Sequence, residues 1–205
     1  MDMKKRDIYL LSIIIVLVLL SFYYDKLIIQ EISLIRNLFL NDFFLGITFV
    51  SSEIIILFFL TSLFLPRKKR KWILPLWLTL GLSVVVSYLL KIIVHRPRPF
   101  QQGIVSILPI LQNANYLTWN FSFPSFQAML AFCSIPILSK EFPRFKYVWI
   151  TFAFLIAFSR VYFGVHFMSD VLVGGLIGYL IGLTILSIQE KNKFFERIYG
   201  KIIGK

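Results

Sequence analysis

Apolar residues in this chain do not alternate with polar ones but run in long blocks, over residues 8–24, 43–65, 72–94, 124–138, 147–163 and 170–188. About 20 such residues let an α-helix cross the hydrocarbon core of a bilayer, and a helix satisfies its own backbone hydrogen bonds there. The pattern therefore predicts an all-α protein, a six-transmembrane-helix bundle forming a single domain over residues 1–205. Residues 26–40 differ. Ile28, Ile32, Ile35 and Phe39 recur at helical spacing, while Lys26, Gln30, Ser33 and Asn37 fall largely elsewhere. That spacing predicts an interfacial amphipathic helix lying on the membrane.

Smaller signals refine the layout. Lys4, Lys5 and Arg6 precede the first block, as in a signal peptide, but the bulky Ser21-Phe22-Tyr23-Tyr24 offers no small-residue cleavage site. The block reads as an uncleaved first span. Gly174, Gly178 and Gly182 repeat every four residues in the last block and predict close packing against a neighbouring helix. The long connection after residue 94 holds an apolar stretch, 104–111, expected to dip into the interface. The triplet Asn120-Phe121-Ser122 matches a glycosylation acceptor but sits too near the next span to be more than incidental. The basic tail, 189–205, suits an anionic leaflet.

Composition excludes a soluble domain: 58% of the 205 residues are hydrophobic and 16% charged, with a mean hydropathy of +0.80. A net charge of +12 would suggest nucleic acid in a soluble protein. Here its placement explains it without a nucleic-acid partner. Sixteen of the 22 Lys and Arg residues lie in four clusters: at 4–6, 67–71, 140–146 and 191–205. Six spans place all four clusters on one side, so both termini are expected to be cytoplasmic. The other six are Lys26, Arg36, Lys91, Arg96, Arg98 and Arg160, and four of these adjoin unusual stretches. The single Cys133 rules out an intramolecular disulfide.

The chemistry concentrates in residues 159–170, Ser-Arg-Val-Tyr-Phe-Gly-Val-His-Phe-Met-Ser-Asp. Ionisable groups at membrane depth are costly and mark function. His166 and Asp170 are four apart and share a helical face. A neutral imidazole is a nucleophile that a carboxylate can orient, and Arg160 carries a forked donor set suited to phosphate. The three read as phosphoryl-transfer chemistry. They would also suit a His–Asp pair at a helix end with an Arg reaching to the interface.

Two further segments fall on the same side: Lys91-Ile92-Ile93-Val94-His95-Arg96-Pro97-Arg98-Pro99 and Pro124-Ser125-Phe126-Gln127. Together the three resemble the motifs of the type 2 phosphatidic acid phosphatase superfamily of membrane lipid phosphatases. Lys91, Arg98 and Pro99 match its Lys-x6-Arg-Pro motif. Ser159, Arg160, His166 and Asp170 match its Ser-Arg-x5-His-x3-Asp motif. The resemblance implies a metal-free hydrolase with no cofactor, acting on a lipid phosphate or diphosphate at the outer face of the cell membrane. It implies that His166 forms a phosphohistidine and that Asp170 orients the ring. Lys91, Arg98 and Arg160 then hold the phosphate and offset transition-state charge, with Ser125 at a helix N-terminus.

The second motif departs from the family's Pro-Ser-Gly-His. Phe126 replaces Gly, and Gln127 replaces the His that serves there as general acid. Gln127 can donate a hydrogen bond to phosphate but cannot titrate. His95 and Glu53 are the alternative acids. The vacancy favours a polyprenyl diphosphate as substrate, because a diphosphate expels a phosphate monoester that leaves without a proton. Two other readings stay open: a lipid phosphotransferase, and a catalytically weak lipid-phosphate binder.

Overall fold

The computed structural model describes residues 5–108 and 121–192, and within them every regular element is helical. In chain order these are α1 (Lys5–Leu34), α2 (Leu38–Val50), α3 (Glu53–Leu63), α4 (Ile73–Val94), α5 (Phe126–Glu141), α6 (Lys146–Tyr162) and α7 (Met168–Asn192). Short 3-10 turns at Arg67–Trp72 and Pro143–Phe145 lead into α4 and α6. Asn120, residues 109–111 of the apolar dip, and residues 193–205 of the basic tail lie outside the described residues.

Two sequence expectations need correction. The interfacial helix over 26–40 does not exist as a separate element, because α1 continues unbroken to Leu34. No Gly or Pro interrupts residues 8–34. The charged Asp25 does not turn the chain to the surface but is buried, and it finds its partners inside the bundle. The block 43–65 is not one straight helix. It breaks at Ser51-Ser52 with a bend of 62° between α2 and α3. Ser51 turns its hydroxyl back onto the Thr48 carbonyl. Ser52 then takes the extended conformation of an N-cap (φ −61°, ψ 147°), and Glu53 follows in the first turn of α3. A Ser-Ser-Glu sequence supplies a new helix start inside an apolar run.

Among the described residues, four helices are long and apolar enough to cross a membrane: Ser12–Leu34, Arg67–Val94, Pro143–Tyr162 and Met168–Lys191. The bent α2–α3 pair would make five. α5 has 16 residues and contains Pro136. It is the hub of the bundle, with Ala128 to Ala131 and Cys133 to Leu138 all buried, packed against α4, α6 and above all α7. The glycine repeat makes the α5–α7 contact possible. A β-carbon at Gly174, Gly178 or Gly182 would collide with the backbone oxygen of Ser125, Met129 or Cys133 in turn. The outer surfaces of α1 to α4 are apolar, with residues such as Leu19, Phe58, Ile54 and Val85 exposed, which suits lipid as the solvent.

The helices also sort the chain's charge. α4 and α6 end, and α5 and α7 begin, at one end of the bundle. The 67–71 and 140–146 clusters lie at the other. There Lys69 pairs with Glu141 (3.6 Å) and stacks on Phe142, Lys140 pairs with Glu190 (2.6 Å), and the Trp72 indole donates to Glu141 (2.9 Å).

Candidate active site

The end of the bundle opposite those clusters gathers the three motifs. After α6 the chain turns through Phe163 and Gly164. The amides of Val165 and His166 both donate to the Arg160 carbonyl, each at 3.2 Å. Gly164 has φ 73°, and a β-carbon there would strike Val105 and Arg36, so this turn needs glycine. Arg36 locks it from outside, donating to the carbonyls of Tyr162 (2.9 Å) and Ser106 (2.8 Å). α7 then starts with one half of a capping box. Asp170, in its first turn, accepts from the Phe167 amide at 2.8 Å, as the acidic member of a capping box does. The turn points His166 inward and the cap fixes Asp170 beside it.

His166 is fully enclosed. Its Nδ1 lies 2.7 Å from the main-chain carbonyl of Ser122. A carbonyl only accepts, so Nδ1 carries the proton and Nε2 the lone pair. Nε2 faces the Arg98 guanidinium, 3.3 Å from Nη1. Burial holds the ring's pKa well below 6.5, and the positive charges of Arg98, Lys91 and Arg160 push the same way. The bond to Ser122 opposes them only in part. The imidazole is therefore neutral at physiological pH.

Asp170 is not hydrogen-bonded to the ring, since its Oδ2 is 3.8 Å from Nδ1. Ser122 connects them. Its hydroxyl donates to Asp170 Oδ2 at 2.5 Å while its carbonyl receives Nδ1–H. The other oxygen of Asp170 pairs with Arg96 at 2.7 Å.

The remaining sequence candidates fall around this core. Arg98 is buried and also donates to the Val165 carbonyl at 2.7 Å. The ammonium of Lys91 donates to the Phe121 carbonyl. Ser125 precedes α5, its amide bonded to the Asp170 carbonyl at 3.0 Å. Its hydroxyl is buried and has no hydrogen-bond partner among the described residues, a polar group left for a ligand. Gln127 donates to the Glu53 carboxylate at 3.2 Å, so the break between α2 and α3 delivers Glu53 to the departed motif. His95 is exposed, in the left-handed region at the end of α4 (φ 51°), with its ring edge-on to Phe121. Among the described residues, no three His, Cys, Asp or Glu side chains group as a metal site would require.

Sequence reasoning missed four residues of this cluster. Ser122 entered only as part of a glycosylation triplet. Arg96 and Ser169 entered without a role and Asp25 not at all, although a carboxylate directly after the first apolar run and a cation beside Arg98 were each a visible signal.

Known proteins resemble the chain over most of its length. Residues 72–194 match the family model of the PAP2 superfamily. The chain is 31% identical to phosphatidylglycerophosphatase B of Bacillus subtilis, over 84% of this chain and 87% of that protein. It is 29% identical to the undecaprenyl-diphosphatase BcrC of the same species, over 70% of this chain and 73% of that one. Among solved structures it resembles the transmembrane PAP2-type phosphatidylglycerolphosphate phosphatase of Bacillus subtilis, with a TM-score of 0.69 and 27% identity, over 90% of this chain and 96% of the other.

Proposed function

Because the chain belongs to the PAP2 superfamily and is a membrane lipid phosphatase, we propose that it hydrolyses a lipid diphosphate, a polyprenyl diphosphate first among them, through a phosphohistidine on His166. The observation that carries this reading is the state of the ring. His166 is neutral, its Nδ1–H donates to the Ser122 carbonyl, and its Nε2 lone pair is directed at Arg98.

The reaction follows from that placement. The Nε2 lone pair attacks the terminal phosphorus, the bond from phosphorus to the bridging oxygen breaks, and the lipid monophosphate leaves with the electron pair. Arg98, Lys91 and Arg160 bind the phosphoryl oxygens and offset the charge of the transition state. The Ser125 hydroxyl and the first amides of α5 add donors at a helix N-terminus. Asp170, acting through Ser122, supports the positive charge that the ring acquires on phosphorylation. Water then attacks phosphorus, the P–N bond breaks, Nε2 regains its lone pair, and inorganic phosphate is released.

Gln127 sets the preference for diphosphate. The departing lipid monophosphate has a second pKa of about 6 and needs no proton, whereas a monoester expels an alkoxide that does. Of the two alternative acids, Glu53 is the better placed, since it is joined to Gln127, whereas His95 faces Phe121. An apolar groove of about 980 Å³ begins at Met168 and Val171, beside the motif, and runs between α6 and α7 past Phe158 and Leu176. Such a groove would suit the hydrocarbon chain of that substrate.

The remaining proposals concern layout. The chain forms one domain of six crossings, in which the bent α2–α3 pair and the short α5 are the crossings that length and composition alone do not mark. Both termini are cytoplasmic and the site opens to the outer face. Turnover of purified protein on matched polyprenyl diphosphate, polyprenyl monophosphate and phosphatidic acid tests the substrate. A clear preference for the diphosphate is expected, and a preference for phosphatidic acid would overturn the assignment.

A further inference from the structure

Asp25 lies on α1, outside the residues that match the family model, yet it belongs to a buried polar cluster that reaches the site. Its carboxylate pairs with Arg96 at 2.7 Å. It also accepts from the Ser169 amide at 2.9 Å and from the Ser169 hydroxyl. Arg96 uses its other nitrogen on Asp170 Oδ1 and on the Ser169 hydroxyl, both at 2.7 Å. The guanidinium lies over the Phe167 ring, 4.1 Å from its centroid, with Phe22 of α1 5.5 Å away. Asp25 and Asp170 are both almost completely buried.

We propose that Asp25 and Arg96 are positioning residues for the phosphoryl-transfer site, holding Asp170, and through Ser122 the imidazole of His166, in the orientation and charge state that attack requires. The proposal rests on His166 being the nucleophile. Asp170 alone beside Arg96 would be a neutral pair, and a neutral pair does little for a ring that becomes cationic on phosphorylation. Asp25 restores the balance. With both carboxylates ionised, they and the one guanidinium carry a net single negative charge, set against the cations Lys91, Arg98 and Arg160. The geometry enforces the same division. Arg96 is a planar fork that spans two carboxylates, and a lysine in its place is a point charge that cannot. The Asp25 carboxylate also receives the Ser169 amide, so α1 pins the first turn of α7 and fixes where Asp170 starts.

The experiment compares Asp25→Asn, Asp25→Glu, Arg96→Lys and the double variant Asp25→Asn/Arg96→Lys with wild type and His166→Ala. All are full-length protein in detergent, and the readouts are kcat, KM and the ring nitrogen signals of His166. The chain has two histidines, so the His166 signals can be assigned by their loss in His166→Ala. Asp25→Asn and Arg96→Lys should each lower kcat by about 10- to 100-fold, the usual effect of losing a partner that orients a reacting group through another. KM should hold, and the signal of the Nδ1-protonated form should shift or broaden. The double variant should be no worse than the weaker single one, because both break one unit. Asp25→Glu should recover part of kcat. If Asp25→Asn does not fold, Arg96→Lys and Asp25→Glu carry the same readouts. Wild-type kcat, or a fall in activity with unchanged His166 signals, would overturn the positioning role while His166→Ala stays inactive. An active His166→Ala would instead overturn the assigned function.

Discussion

The imidazole of His166 is held by the main-chain carbonyl of Ser122, which accepts a hydrogen bond from its Nδ1–H at 2.7 Å. A backbone acceptor fixes the tautomer whatever the charge of nearby side chains, and it leaves the lone pair on the nitrogen that faces Arg98. The Asp170 carboxylate, expected to orient the ring, meets it at one remove, through the hydroxyl of the same serine.

The first consequence concerns pH. His166 should titrate well below 6.5 in the substrate-free protein, and histidine NMR between pH 4 and 8 reads this directly. The sign for stability follows. Above the unfolded-state value of about 6.5 the group costs nothing. Below it the unfolded chain takes up a proton that the folded chain refuses, so stability falls as pH is lowered. A ring that titrates at or above 6.5 would contradict the burial and charge described here.

Gln127 is the second point. A general acid is worth about 10²- to 10⁴-fold when the leaving group is poor. Gln127→His, with Phe126→Gly to ease the approach of the amides, should raise turnover of a lipid monoester far more than that of a lipid diphosphate. Glu53→Gln should lower residual monoester turnover and spare the diphosphate. Steady-state rates on the two substrates check both, and equal gains on each would mean that another group already supplies the proton.

Packing of α7 on α5 gives a third expectation. Gly182→Ala would set a methyl group against the Cys133 carbonyl and Pro136. Forcing extra volume into a filled contact costs about 1–3 kcal/mol, so thermal unfolding in detergent should show a clear loss. Gly46→Ala, where a β-carbon meets nothing within 4 Å, should show none.

Topology is open to cysteine labelling. The native Cys133 is buried and should stay silent. A membrane-impermeant thiol reagent applied from outside should modify Gln102→Cys, on the connection beside the site, and not Lys68→Cys, in the basic cluster at the other end. The reverse pattern would place the site in the cytoplasm.

The sequence revealed those features that depend on local pattern. Lys91, Arg98, His166 and Asp170 sit at fixed spacings on single segments, so the motifs could be read directly. Residues 73–94, 146–162 and 168–192 are helical close to where the apolar runs place them. What stayed hidden depends on distance along the chain. Asp25 meets Arg96 across 71 residues and Ser169 across 144, and no periodicity reports such a contact. Lys26 and its polar neighbours resembled a surface helix because burial of the adjacent Asp25 cannot be seen in one dimension. The bend at Ser51-Ser52 was a local signal outweighed by the apolar run around it, and with it went the pairing of Glu53 and Gln127.

Trapping the covalent intermediate addresses the nucleophile itself. Purified protein mixed with a lipid diphosphate labelled at its terminal phosphate, then quenched within the first turnovers under alkaline denaturing conditions that preserve phosphohistidine, should carry label on the peptide containing His166. His166→Ala should carry none and should not turn over. An unlabelled wild-type protein that turns over, together with a His166→Ala variant of full activity, would contradict the assignment.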